Sequence, residues 1–156
     1  GLKKAQAEGK VRFISISEDD DAARKAIEIG EYDTLQITYN VLDQASADVI
    51  AAAREKNMGI IVKQLIANAV FERPDPDNPR STLSRIAESV LDPEFLGDLQ
   101  PVEAALRWLL CDDNVHTAIV GTTNIDHLED NVRSVERGRL PDEMLAEIRL
   151  RFDQTR

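Results

Sequence analysis

Cysteine, basic residues and long apolar runs are the scarce features of this sequence. Its one cysteine, Cys111, excludes an internal disulfide; within the apolar run Trp108-Leu109-Leu110-Cys111 it reads as a buried, inert thiol. Lysine and arginine number 19 against 29 acidic residues, a formal net charge of -10. That balance argues against a nucleic-acid groove or an anionic membrane surface, because both would repel the chain. No apolar run approaches the ~20 residues needed to span a bilayer, and no secretory leader is visible, so no membrane partner and a cytoplasmic location are expected. No metal site is expected either. What is present is ordinary for a globular domain: 42% hydrophobic and 31% charged residues in a chain of 156, long enough for one domain with a real core. The first residue, Gly1, opens directly on the helix-like stretch Leu2-Lys3-Lys4-Ala5-Gln6-Ala7, which reads as the middle of a longer protein.

Strand and helix patterns alternate along the chain. Val11 to Ile16 is a short β-rich run after Gly9, and Asp20 to Ile29 has helical spacing, with Ala22, Ala23, Ala26 and Ile27 on one face and Gly30 as the stop. Leu35 to Tyr39 reads as a second strand, Asp43 to Lys56 as a helix built on Ala45, Val49, Ala52 and Ala53, and Ile60 to Lys63 as a third strand. The spacing then breaks. Glu72 to Pro79 carries three prolines and three acidic groups and is expected to be a surface loop, opening an irregular Pro-rich insertion over about 72–101 in which Thr82 to Val90 has weaker helical character. Helical spacing returns at Val102, Ala105, Leu106 and Leu109, with Pro101 suited to the first turn. A fourth strand, Thr117 to Val120, a helix reaching Val135 and an amphipathic helix from Pro141 to Phe152 complete the chain.

Strand–helix–strand repetition implies right-handed crossovers and a parallel sheet. Four such units make about half of a (β/α)8 barrel, whose usual length is about 250 residues. The rival, a doubly wound open sheet, calls for a Gly-rich turn after its first strand, and Ser17-Glu18-Asp19-Asp20 has no glycine. The expected fold is therefore α/β, the second half of a TIM-type barrel, in a single domain over residues 1–156. Strands one and four would then be open edges, to be closed by a missing N-terminal half or by a second copy in a homodimer.

The loop Val120-Gly121-Thr122-Thr123-Asn124 is the main functional pointer. A strand that turns through glycine and hydroxyl residues into a helix start presents free N–H groups at the positive end of a helix dipole, which suits phosphate. A phosphorylated ligand is implied, most simply a nucleotide. The alternative is a capping box of Thr123 and Asp126 with no ligand at all.

Several stretches, in order, resemble the aldo-keto reductase family. Gly9-Lys10-Val11-Arg12-Phe13-Ile14-Ser15-Ile16-Ser17 resembles the family's fifth-strand signature, and Glu28 through Asn40, ending Gln36-Ile37-Thr38-Tyr39-Asn40, its sixth. Gly59-Ile60-Ile61-Val62 corresponds to the seventh strand; Ala104 to Leu110, Thr117 to Gly121 and Glu129-Asp130-Asn131-Val132 resemble the last helices and strand. The resemblance implies reduction of carbonyls to alcohols with NADP, or NAD as the alternative cofactor. The family's tyrosine, aspartate, lysine and histidine lie in the absent half, so no catalytic residue is assigned. Tyr32, Tyr39 and His116 read as packing or surface residues.

The resemblance also implies a set of cofactor contacts. Ser17 and Gln36 correspond to residues on the nicotinamide carboxamide, although Glu18, an acceptor-only anion, replaces the serine's usual asparagine partner. Lys63 falls where many members stack a tyrosine on the nicotinamide ring, and Leu65 and Asn68 fall in the pyrophosphate loop. Gly121, Thr122 and Thr123 match the loop around the 2′-phosphate, and Asp130 and Asn131 the adenine-side pair. His127 stands where many members carry an arginine, so preference for NADP over NAD should be weaker. The run Asp19-Asp20-Asp21 reads as anions on a helix N-terminus. Three functions are compatible: the cofactor half of a reductase acting on a small carbonyl, inactive alone; a non-catalytic NADP(H)-binding or interaction module; and a degenerate fragment that folds by self-association.

Overall fold

The structure, a computed structural model, describes residues 1–67 and 82–156. The expected loop at Glu72–Pro79 and the candidate Asn68 lie outside the described residues. Four strands, β1 (Ser15–Ser17), β2 (Thr34–Thr38), β3 (Gly59–Lys63) and β4 (Thr117–Ala118), pair in parallel in the order β1-β2-β3-β4. Strand order follows chain order without reversal. A doubly wound sheet reverses at a switch point, so this winding is that of a barrel.

Helices α1 (Leu2–Ala7), α2 (Asp20–Ile29) and α3 (Ala47–Glu55) precede and link the first three strands. After them come α4 (Thr82–Val90), α5 (Pro93–Leu96) and α6 (Pro101–Leu110), then α7 (Ile125–Glu136) and α8 (Asp142–Asp153). The core lies between one face of the sheet and the helices. Leu35, Ile37, Ile60 and Val62 are fully buried on that face and meet Ala23 and Ile27 of α2, Val49, Ile50 and Ala53 of α3, and Leu106 and Leu109 of α6. The alternate strand positions, Gln36, Thr38, Ile61 and Lys63, lie on the opposite, concave face and are only half-buried. Among the described residues, no helix is long and apolar enough to cross a membrane.

Several element boundaries differ from the sequence reading. The first strand begins at Ser15 rather than Val11, because pairing starts only where β2 begins, at Ser15↔Thr34. Just upstream, Ile14 is clamped at both ends by Asp33, whose Oδ2 accepts from Ile14 N at 2.7 Å and whose N–H donates to Ile14 O at 2.8 Å. The fourth strand is two residues, Thr117–Ala118, because only Ile61 and Val62 face it. Helix α3 starts at Ala47, not Asp43, since Asn40 and Asp43 exchange backbone hydrogen bonds at 3.0 and 3.1 Å and the Asn40 carboxamide caps Leu42 N, keeping this stretch in a turn. Ala45 is consequently exposed, and Ile50 takes the central place in the α3 packing; in α2, Ala22 is exposed too, the buried face being Ala23, Ala26 and Ile27. The stretch expected to be irregular up to residue 101 contains α4 and α5, and α4 packs under the C-terminal helix α8. Gly30 ends α2 as expected, at φ 68°, a left-handed conformation that favours glycine.

Two of the aromatic and polar residues set aside in the sequence have packing roles. Tyr39 is 1% exposed and lies against Trp108 with ring centroids 5.3 Å apart. Burial pushes its phenol up to about 12, with Asp112 adding to the shift. His116 accepts from Ile60 N at 2.9 Å through Nδ1, tying β4 to β3. Cys111 is buried, its sulfur facing Leu140 N at 3.4 Å.

Candidate functional site

A groove of about 1310 Å³ runs along the C-terminal ends of β2, β3 and β4 to the N-terminal half of α7. Its inner end is lined by Gln36, Lys63, Gln64 and Leu65, and its outer end by Gly121, Thr122, Thr123 and His127. Asp130 and Asn131 continue the wall one turn further along α7. Parallel pairing explains the convergence. Every strand delivers its carboxyl end to the same rim, and ligand sites in such sheets form there.

At the inner end, register fixes the neighbours. Ser17 pairs with Gln36 and Gln36 with Ile61, so these side chains form one row on the concave face. Lys63, level with Thr38 one step nearer the rim, donates from Nζ to Ser17 Oγ at 3.3 Å and lies 2.9 Å from Asp19 Oδ2. Asp19 is held in turn by Thr38, whose N–H donates to Oδ1 at 2.7 Å and whose hydroxyl donates to Oδ2 at 3.3 Å. Burial works against the Asp19 anion, but the Thr38 amide and the Lys63 ammonium outweigh it and hold the carboxyl below the usual carboxylate range. Asp19 is thus more than a helix-terminal anion. It is the N-cap residue of α2, yet its side chain makes no cap bond and reaches across to β2 and β3. The backbone is strained on either side: Asp20 has φ 50° and Gln64 φ 56°, left-handed values that non-glycine residues rarely adopt and that often mark functional rims.

At the outer end, Asn124 rather than Thr123 caps α7. Its Oδ1 accepts from Asp126 N at 2.9 Å, and Thr122 Oγ1 accepts from Asn124 N at 3.1 Å, so the expected Thr123–Asp126 capping box is not formed. Asparagine is the better cap here because it sits one residue before the first helical position, where a short side chain reaches the N2 amide. The amides of Ile125 and His127 lie in the same first turn, where a helix supplies no acceptor of its own. Thr122, Thr123 and His127 are all exposed, and a Cβ at Gly121 would meet nothing within 4 Å, so this end is open. The α7 wall adds two arginines that the sequence reading passed over. Arg133 pairs with Asp130 at 2.7 Å and with Glu129 at 3.3 Å. Arg137 meets the buried Glu103 at 2.6 Å, and Glu103 also binds Arg107 at 2.7 Å. The acid-to-arginine spacing of three and four residues on one helix face was the available signal for Arg133; nothing local signals Glu103 with Arg137.

The donor set suits a dinucleotide phosphate. The Gln36 amide and the Lys63 ammonium meet at one end, the Thr122 and Thr123 hydroxyls before a helix start form the other, and the volume between them is ample. The Aldo/keto reductase family model matches residues 1–150, nearly the whole chain. The chain belongs to the aldo/keto reductase family. Solved structures agree on the fold. The aldo-keto reductase AKR11C1 from Bacillus halodurans in its holo form superposes with a TM-score of 0.81 at 22% identity, over 96% of this chain and 53% of that one. A Pseudomonas aeruginosa protein assigned to the aldo-keto reductases gives a TM-score of 0.61 at 24% identity, over 87% of this chain and 42% of the other. Among curated proteins, an oxidoreductase of Schizosaccharomyces pombe described as uncharacterized, C215.11c, is 23% identical over 128 residues, which are 81% of this chain and 38% of that protein. The chain therefore spans about half, or less, of the length of the relatives it matches. Its four-stranded parallel sheet is part of the TIM-type barrel of these aldo-keto reductases.

Proposed function

We propose that this chain is the cofactor-holding half of an NADP(H)-dependent oxidoreductase that interconverts small carbonyls and alcohols, and that alone it binds the dinucleotide without turnover. The observation that carries this reading is the single groove that joins Gln36 and Lys63 at the strand ends to Gly121, Thr122 and Thr123 before α7. In it, Ser17 and Gln36 hold the carboxamide, and Lys63 lies beside the nicotinamide ring. Leu65 faces the pyrophosphate, a contact that the family resemblance also assigns to Asn68, outside the described residues. Gly121, Thr122, Thr123 and His127 with the first-turn amides take the 2′-phosphate, and Asp130 and Asn131 face the adenine. When bound, the nicotinamide supplies or accepts a hydride. The chain's own residues orient the ring and screen it. Among the described residues, the one ammonium on the concave face is that of Lys63, which is engaged by Asp19 and Ser17. The proton therefore comes from residues beyond the four units present.

The surface is consistent with such completion. The outer edges of β1 and β4 have no strand partner among the described residues, and α7 presents Ile125, Leu128, Val132 and Val135, 42–73% exposed, as one apolar stripe. We propose that a further half-barrel, or failing that a second copy of this chain, covers these faces. A second reading, a binding module with no catalytic partner, is favoured by Glu18, exposed where an amide donor would serve the carboxamide.

The test has two arms. Fluorescence titration of the purified chain with NADPH should saturate, while NADPH consumption with a panel of aldehydes should stay at blank. Failure to bind overturns the cofactor assignment, and steady consumption overturns the claim that the chain is inactive alone. Light scattering reports the closure: a stable monomer at micromolar concentration argues against self-association.

A further inference from the structure

The ion pair between Lys63 and Asp19 joins residues from two strand ends at the inner rim of the groove. Nζ and Oδ2 are 2.9 Å apart, and Ser17 Oγ accepts from the same ammonium at 3.3 Å. Neither partner is free to wander: Thr38 binds Asp19 through both its amide, at 2.7 Å, and its hydroxyl, at 3.3 Å. The Lys63 side chain is 23% exposed, and Gln36, lining the same end of the groove, lies in the next row of the concave face. One positive and one negative charge therefore stand together where the nicotinamide is assigned.

Resting on that assignment, we propose that Asp19 is a positioning and charge-balancing residue, which holds Lys63 beside the nicotinamide subsite and cancels its charge so that the groove takes oxidised and reduced cofactor about equally. The oxidised nicotinamide ring carries a positive charge and the reduced ring carries none. A lone ammonium beside the ring would disfavour the oxidised form. A lone carboxylate would favour it. The exposed Glu18 adds the same negative charge in every variant and does not alter the comparison.

The experiment measures dissociation constants of NADP+, NADPH and 2′,5′-ADP by titration for the wild type, Asp19→Asn, Lys63→Met and the double variant, after circular dichroism confirms folding. The 2′,5′-ADP probe lacks the nicotinamide and reports the outer end alone. Asp19→Asn should raise the preference for NADPH over NADP+ roughly tenfold, as expected for unit charges several ångströms apart at a half-exposed site. Lys63→Met should shift the ratio by a similar factor in the opposite direction, and the double variant should return it to the wild-type value. Opposite signs are the readout that mere structural damage does not produce, and Lys63→Met carries the test alone should Asp19→Asn fail to fold. If 2′,5′-ADP binds throughout and the ratio stays fixed, or both forms weaken equally, this inference is overturned and the groove reading survives. If the wild type binds none of the three ligands, the groove reading itself is overturned, and this inference with it.

Discussion

Removing the Glu103 carboxylate should loosen the wall of the groove, and the cost can be worked from its contacts. The side chain is 7% exposed and bridges two guanidiniums, Arg107 Nη1 at 2.7 Å and Arg137 Nη1 at 2.6 Å, which fasten α6 to the end of α7. Truncating one partner of a buried pair costs about 3–5 kcal/mol when the other charge is left buried and alone. Only Arg107, 13% exposed, approaches that state. Arg137 is 64% exposed and returns to water, and Arg107 keeps Gly138 O at 2.8 Å and Arg139 O at 2.9 Å. The expected loss for Glu103→Ala is therefore nearer about 2 kcal/mol, the scale of one charge-assisted hydrogen bond together with partial desolvation of Arg107. In a chain of this size that lowers Tm by about 4–8 °C. Glu103→Gln keeps an acceptor of the same shape and should lose about half as much. Because Glu103 and Arg137 both line the groove, Glu103→Ala should also weaken 2′,5′-ADP binding several-fold. Urea denaturation and thermal melting of the three proteins decide the matter. A Glu103→Ala loss under about 0.5 kcal/mol, or equal losses for Ala and Gln, would refute the reasoning.

Other expectations are sharp enough to measure. His127→Arg should raise the NADP+ over NAD+ affinity ratio roughly tenfold by giving the 2′-phosphate a guanidinium fork; an unchanged ratio would remove His127 from the phosphate site. Gly59→Ala places a Cβ 2.9 Å from Thr34 Cγ2 on the paired strand, so it should cost about 1–2 kcal/mol in urea melts, most of it recovered in Gly59→Ala with Thr34→Ser. Asn124→Ala deletes the cap on Asp126 N, and a loss of about 1 kcal/mol is expected, with no effect refuting the cap. Asp19 has a folded-state carboxyl below its ordinary value, so the unfolded chain binds more protons in acid. Its stabilisation is then present above the ordinary carboxylate range and lost as pH falls through the lowered value. The stability gap between wild type and Asp19→Asn should narrow from about pH 5 to about pH 3; a gap that widens would contradict the sign.

What the sequence revealed and what it hid follow from range. The order of elements was legible because strand and helix periods are properties of neighbouring residues: Leu35 and Ile37 against Gln36 and Thr38, or Ala23 with Ala26 and Ile27. Gly30 and Pro101 marked a helix stop and a helix start for reasons of backbone conformation alone. Boundaries were missed wherever a specific contact, and not strand or helix period, decided them. The run from Val11 to Ile14 has strand composition, but the β2 end reaches only Ile14 O, through the Asp33 and Thr34 amides, and the Asp33 carboxylate takes Ile14 N where a ladder would continue. Asp43 looked like a helix start until Asn40 bound it from three residues back. At the site, the local motif around Gly121 was visible, whereas the roles of Asp19 and Glu103 were not. Asp19 stands in an acidic run that suits a helix N-terminus, and only the fold brings Lys63, forty-four positions later in the chain, to its side.

The unfinished surfaces of this chain share one geometric origin. In a closed barrel both faces of every strand are covered, one by helices and the other by layers of inward-pointing side chains from all eight strands. Here the helix-facing side is complete, with Leu35, Ile37, Ile60 and Val62 fully buried, while Gln36, Ile61 and Lys63 on the concave side are half-buried and half open. The edge strands are short, and α7 leaves its apolar stripe exposed while its polar residues His127, Asp130 and Asn131 line the groove. Burying a fully exposed side chain of this kind gains about 1.5–3 kcal/mol, so the four stripe residues, 42–73% exposed, offset part of the cost of an association. The same opening exposes the inner end of the groove to water, which weakens every electrostatic contact made there. Covering the concave face therefore strengthens fold and ligand grip together, and the ion pair of Asp19 with Lys63 is the contact whose strength should respond most to that change in surroundings.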